Sequence, residues 1–69
     1  MSVRKYSVMI AGHRTSVSLE PEFWNELKLI AEKRGETISS LITRVDETRS
    51  GNLSSALRIL VLRELKGLS

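Results

Sequence analysis

Residues 14–21, "RTSVSLEP", decide how the chain is organised. Polar and apolar side chains alternate until a proline stops the run. In an extended chain Arg14, Ser16 and Ser18 lie on one side, and Thr15, Val17 and Leu19 on the other. The second set can pack a core. The first is polar, cationic at one end, and free to meet something outside the core.

Upstream, residues 3–10 ("VRKYSVMI") also favour an extended chain, with Tyr6, Val8 and Ile10 alternating. The apolar residues are even-numbered before Gly12 and odd-numbered after it. A turn or bulge at Ala11-Gly12-His13 accounts for that shift, and His13 is expected to serve the turn. Three arrangements of residues 3–10 stay open: a basic arm that grips phosphates through Arg4 and Lys5, an extra strand folded back as a hairpin, or a cover over the Arg14 side.

Downstream, Pro21 suits the first turn of a helix, where its missing N–H costs nothing, and Glu20 and Glu22 complement the positive end of the helix dipole. Phe23, Leu27, Ile30 and Ala31 then recur at helical spacing until Gly35 breaks the helix. Thr37 is a suitable N-cap for a second helix with Ile38, Leu41, Ile42 and Val45 on one face, ending around Ser50-Gly51. Asn52 caps a third, "LSSALRILVLREL", whose main stripe is Leu53, Ala56, Leu57, Leu60, Val61 and Leu65. Ile59 and Leu62 widen its apolar arc beyond what one small core covers. Arg44, Arg49, Arg58, Arg63 and Lys66 are expected on solvated helix faces.

Composition narrows the function. A chain of 69 residues makes one small domain and generally needs a staple. There is no cysteine, and His13 is the one histidine, so disulfides, thiolate metal sites and a zinc site are not expected. The remaining staple is oligomerisation, most simply a two-fold dimer. Its core is expected to hold Val17 and Leu19 of the strand, Phe23, Trp24, Leu27 and Ile30 of the first helix, Ile38, Leu41, Ile42 and Val45 of the second, and Leu57, Leu60 and Val61 of the third. A net charge of +3 is a mild bias toward polyanions. No apolar run is long enough to span a membrane, and no targeting segment is evident, so a cytoplasmic protein is expected. "SVRK" at residues 2–5 matches a Ser-x-x-Lys pattern without partners for catalysis, so neither an enzyme nor a cofactor is expected.

A lone strand leaves backbone groups unpaired. Pairing residues 14–19 with the same strand of a second copy solves this, and presents Arg14, Ser16 and Ser18 of both chains on one open face. A two-stranded ribbon of this kind fits the major groove of B-DNA.

With those residues in place, the chain resembles the ribbon-helix-helix DNA-binding family of the Arc and Met repressor type. The carriers are "RTSVSL", the helix "EFWNELKLIAEKRG", and the turn Gly35-x-Thr37-Ile38-Ser39. "GHRTSVSLEPEFW" together with "GNLSSALRILVL" is similar to a small bacterial subfamily of such proteins. The resemblance implies a mainly α, intertwined two-fold dimer with an intermolecular antiparallel ribbon and an added C-terminal helix. In that arrangement residues 1–12 are an arm or extra strand, 13–50 the ribbon-helix-helix core and 51–69 the last helix. It places base contacts at Arg14, Ser16 and Ser18, and a phosphate clamp at the backbone of Thr37, Ile38 and Ser39. The implied function is a DNA-binding regulator, in its simplest form a repressor, with double-stranded DNA and a second copy as partners. Serines discriminate bases weakly, so Arg14 is expected to carry most of the specificity. The alternative is an antitoxin-like module that holds another protein, although residues 53–66 are apolar and capped as in a folded helix rather than a free tail.

Overall fold

The computed structural model describes residues 2–48 and 51–67. Arg49 and Ser50, named above near the end of the second helix, lie outside the described residues. Strands β1 (Arg4–Ile10) and β2 (His13–Leu19) are followed by helices α1 (Pro21–Lys33), α2 (Ile38–Thr48) and α3 (Leu53–Leu65).

The two strands form an antiparallel hairpin with Tyr6 opposite Val17, Val8 opposite Thr15, and Ile10 opposite His13. Ala11 and Gly12 make the turn, with φ of 51° and 80°. Positive φ at both central residues is the signature of a type I′ turn, whose twist matches that of the flanking strands. Glycine adopts it without strain; Ala11 carries a Cβ there and does not.

Of the three arrangements open to residues 3–10, the hairpin is the one that forms. β2 finds its partner in β1 of the same chain, because a two-residue loop brings β1 alongside at little cost in closure entropy. The basic-arm arrangement of Arg4 and Lys5 gives way to the hairpin, since both residues sit in β1. Nor does β1 cover the Arg14 side. It lies edge-on to β2 and adds width to that face.

One face of the hairpin closes the core. Val8, Ile10, Val17 and Leu19 are buried on it, with Tyr6 packed beside them. β1 rests against α2 and β2 against α3. From the helices come Leu27, Ile30 and Ala31, then Leu41 and Ile42, then Leu57 and Val61. Full burial of one such aliphatic side chain contributes about 1.5–3 kcal/mol relative to exposure. Most of the residues expected in a shared dimer core are therefore buried inside one chain. Phe23, Trp24, Ile38, Val45 and Leu60 are partly buried against that core. Trp24 also stacks on Tyr6, ring centroids 4.2 Å apart and planes within 5°, which ties α1 to β1.

The helix ends follow local chemistry. Glu20 is the N-cap of α1, its carbonyl accepting from the N–H groups of Phe23 (3.0 Å) and Trp24 (3.1 Å). At the other end Gly35, with φ 69°, donates to Glu32 O and Glu36 donates to Ala31 O. That pair of bonds is a Schellman motif, and glycine fits its left-handed position. Thr37 Oγ1 accepts from Ser40 N at 3.0 Å, and Asn52 Oδ1 from Ser55 N at 3.1 Å, so both expected caps form. Leu65 departs from its expected place on the α3 stripe, being 68% exposed: it is the last residue of the helix, and the core does not reach that far. Ile59 and Leu62, each 51% exposed, stand outside the core as the wide apolar arc indicated.

Candidate nucleic-acid interface

Cross-strand register sets the outer face of the hairpin. Lys5 is opposite Ser18, Ser7 opposite Ser16, and Met9 opposite Arg14. Because strand side chains alternate, these six share the side away from the core. Lys5, Ser7, Met9, Arg14 and Ser16 are exposed, and Ser18 is half-buried. The face is thus a central pair of hydroxyls, a cation near each end on opposite strands, and one apolar side chain beside Arg14. Arg4 belongs to the inner side by alternation, at the open end of the hairpin opposite Leu19.

Charge is sharply divided along the chain. Residues 1–19 hold Arg4, Lys5 and Arg14 and no Asp or Glu, while the other eight Lys and Arg are matched by eight Asp and Glu. The whole formal excess of +3 therefore sits on the hairpin. Pairing deepens the contrast. Arg34 bridges to Glu64 at 3.2 Å, Arg58 to Glu20 at 3.0 Å, and Arg44 to Glu36. Among the described residues Arg4, Lys5 and Arg14 form no ion pair. An exposed cation without a carboxylate neighbour keeps its full field for an incoming anion.

One of those pairs corrects the expectation of solvated helix arginines, while Arg44 stays exposed on its helix face. Arg58 reaches back to the β2–α1 junction, where Nε donates to Glu20 Oε1, and its guanidinium lies 5.9 Å from the centre of the Phe23 ring. Glu20 is held below its ordinary pKa, first by its own backbone N–H, then by the hydrogen bond from Arg58 and by that guanidinium's charge; desolvation opposes them. Arg44 is engaged by Glu36, whose other oxygen accepts from Ser40 Oγ at 3.0 Å.

At the start of α2, Thr37 is exposed and Ile38 and Ser39 are half-buried. Thr37 satisfies the Ser40 amide. The N–H groups of Ile38 and Ser39 have no carbonyl to pair with inside the helix, and they stand at its positive end. Free amides at the positive end of a helix favour an anion in general. The nearby Glu36 carboxylate is turned along α2 toward Ser40 and Arg44, and its charge is compensated there.

Ser7, Met9 and the place of Lys5 on this face escaped the expectations drawn from residues 14–19 alone. The signal was the change of apolar parity at Gly12. Across a two-residue turn, same-face partners have numbers of opposite parity, as Lys5–Ser18, Ser7–Ser16 and Met9–Arg14 do.

A short hairpin ahead of a helix, a glycine-ended turn and a second capped helix together define a ribbon-helix-helix domain. The chain matches the family model described as ribbon-helix-helix domain over residues 3–65, and it belongs to that family, whose members are in general DNA-binding regulators or antitoxins. Among solved structures it is similar to an uncharacterized protein from Bordetella pertussis Tohama I, with 34% sequence identity and a TM-score of 0.78. The match covers 94% of this chain and 57% of that one, so this chain spans little more than half the length of the Bordetella protein. No curated protein matches it. Among the described residues no helix is long and apolar enough to cross a membrane.

Proposed function

We propose that the chain is a dimeric, sequence-specific DNA-binding regulator, in its simplest form a repressor. It meets the major groove with the outer face of the β1–β2 hairpin. The observation that carries this is the concentration of all the excess charge on that hairpin, whose cations form no ion pair among the described residues. Arg14 grips a guanine edge with its two-pronged guanidinium, Ser16 and Ser18 add hydroxyl contacts, and Lys5 and the α2 amides of Ile38 and Ser39 hold phosphates. A second copy covers the apolar surface left on α3 at Ile59 and Leu62. The two copies then present their faces to a two-fold site, since protein symmetry is mirrored in half-sites.

Selection from a random duplex pool at about 0.15 M salt tests this, because non-specific phosphate binding is weak enough there to leave sequence preference visible. Enrichment of a two-fold motif is the expected outcome. A folded protein that enriches nothing, yet copurifies with a stoichiometric protein partner, overturns it in favour of the partner-holding role.

A further inference from the structure

Resting on that DNA-reading role, we infer that β1 is a second DNA-contacting strand that grips the sugar-phosphate walls of the groove. Lys5 and Ser7 hold phosphates there and Met9 lies against the sugars, while β2 alone faces the bases. The starting point is the sheet. β1 covers one edge of β2 within the chain. The other edge keeps unpaired N–H and C=O groups, a template for a further strand. A second copy related by a two-fold axis offers the same edge in antiparallel sense, which gives the order β1–β2–β2–β1. Neighbouring strands lie about 4.8 Å apart, so the central pair fits within a groove about 12 Å wide. The outer strands, three spacings from one another, stand about 14 Å apart. Each β1 therefore lies over a wall of the groove.

The side chains of β1 suit that place. Lys5, Ser7 and Met9 fall on the outer side, and all three are exposed. Among the described residues Lys5 forms no ion pair, so its charge is available to a phosphate. Lysine acts there as a point charge and lacks the planar fork with which Arg14 reads a guanine edge. Ser7 offers a hydroxyl to a further phosphate oxygen, two residues along the strand and about 6.8 Å from Lys5. Met9 is 46% exposed, and no burial within the chain accounts for it. Its flexible thioether packs against the apolar part of the wall, the deoxyribose. A cation, a hydroxyl and a thioether match backbone chemistry, which fixes position and carries no sequence. On the inner side Tyr6 stacks on Trp24, which holds β1 in place for these contacts.

The experiment uses the full chain and the duplex recovered by selection, with phosphates replaced one at a time by uncharged methylphosphonates. Binding is followed by fluorescence anisotropy at about 0.15 M salt. In the parent, neutralising a gripped phosphate weakens binding about fivefold, the counterion release of one contact at that salt. Lys5→Ala abolishes the penalty at one phosphate on each strand, both bordering the same turn of the major groove, and leaves the other penalties in place. Ser7→Ala/Met9→Ala weakens binding about fivefold, the worth of one hydrogen bond, yet returns the same motif when selection is repeated. Penalties that all persist in Lys5→Ala, or unchanged affinity of the double variant, take β1 off the walls. A motif altered by the double variant puts β1 over bases. Lys5-dependent phosphates a full turn of about 10 base pairs apart mean that two hairpins enter separately. Each of these results overturns the inference and leaves the DNA-reading role standing. A pool that enriches no duplex overturns that role itself, and this inference with it.

Discussion

Ala11 holds φ at 51° in the hairpin turn, a conformation that brings Cβ against the following carbonyl and costs roughly 1–2 kcal/mol for an ordinary residue. Asparagine tolerates it far better, and Asn-Gly is the preferred type I′ pair. Ala11→Asn is expected to stabilise the protein by about 1 kcal/mol, or roughly 4–8 °C in a thermal melt followed by circular dichroism. An unchanged or lower melting temperature would show that the turn is not strained. Arg14 and Ser39 separate the two kinds of contact assigned above. Arg14→Ala removes the proposed guanine contact, worth about 1–3 kcal/mol, so selection repeated with it should return a motif flattened at that position. Ser39→Ala leaves the backbone amide in place and should bind within about twofold of the parent. A motif unchanged by Arg14→Ala would remove the hairpin face from consideration. Arg14 was legible as a solvent-facing residue because alternation is local. The partner of Arg58 was not, since Glu20 lies 38 positions away and no periodicity links them.

The helices were almost wholly legible because what defines them is short-range: apolar spacing, the caps Thr37 and Asn52, and the breakers Pro21 and Gly35. Strand pairing was less so. Residues 14–19 were recognisably a strand, but a strand does not say whether its partner comes from its own chain. Only the parity change at Gly12 carried that, and its two-residue spacing makes the pairing internal. The junction of β2 with α1 shows how the elements are fastened together. Glu20 ends one and starts the next, and Arg58 of α3 clamps its carboxylate at 3.0 Å. Its pKa lies below the ordinary 4.5 in the folded chain. A carboxyl lowered by folding adds stability that is fully present above its unfolded pKa and is lost as pH falls through the folded one. Glu20→Gln removes that contribution. The urea midpoints of parent and variant should therefore differ more at pH 7 than at pH 3. A gap of the same size at both would mean that the charge on Glu20 does not support the fold.

For the molecule as a whole, two kinds of surface are left over once the core has formed: apolar residues on α3 and cations on the hairpin. Ile59 and Leu62 are each half-exposed on the third helix, and charging both with Ile59→Lys/Leu62→Lys should give a folded monomer by sedimentation if they form the proposed dimer contact. A dimer that survives both changes puts the interface elsewhere. The cations set how binding responds to salt. Each phosphate neutralised releases condensed counterions, so log K falls against log salt with a slope of about −0.9 per contact. Lys5 from two copies contributes about −2 to that slope. Lys5→Ala, lost from both copies, should make it shallower by about 2 without altering which sequence is preferred, because phosphate contacts position the protein and do not read bases. Lys28 and Lys33 provide the control. They carry the same charge on α1, away from the hairpin and within the part of the chain whose charges balance. If Lys28→Ala/Lys33→Ala changes the slope while Lys5→Ala does not, DNA lies against the helices, and the division of charge along this chain has another cause.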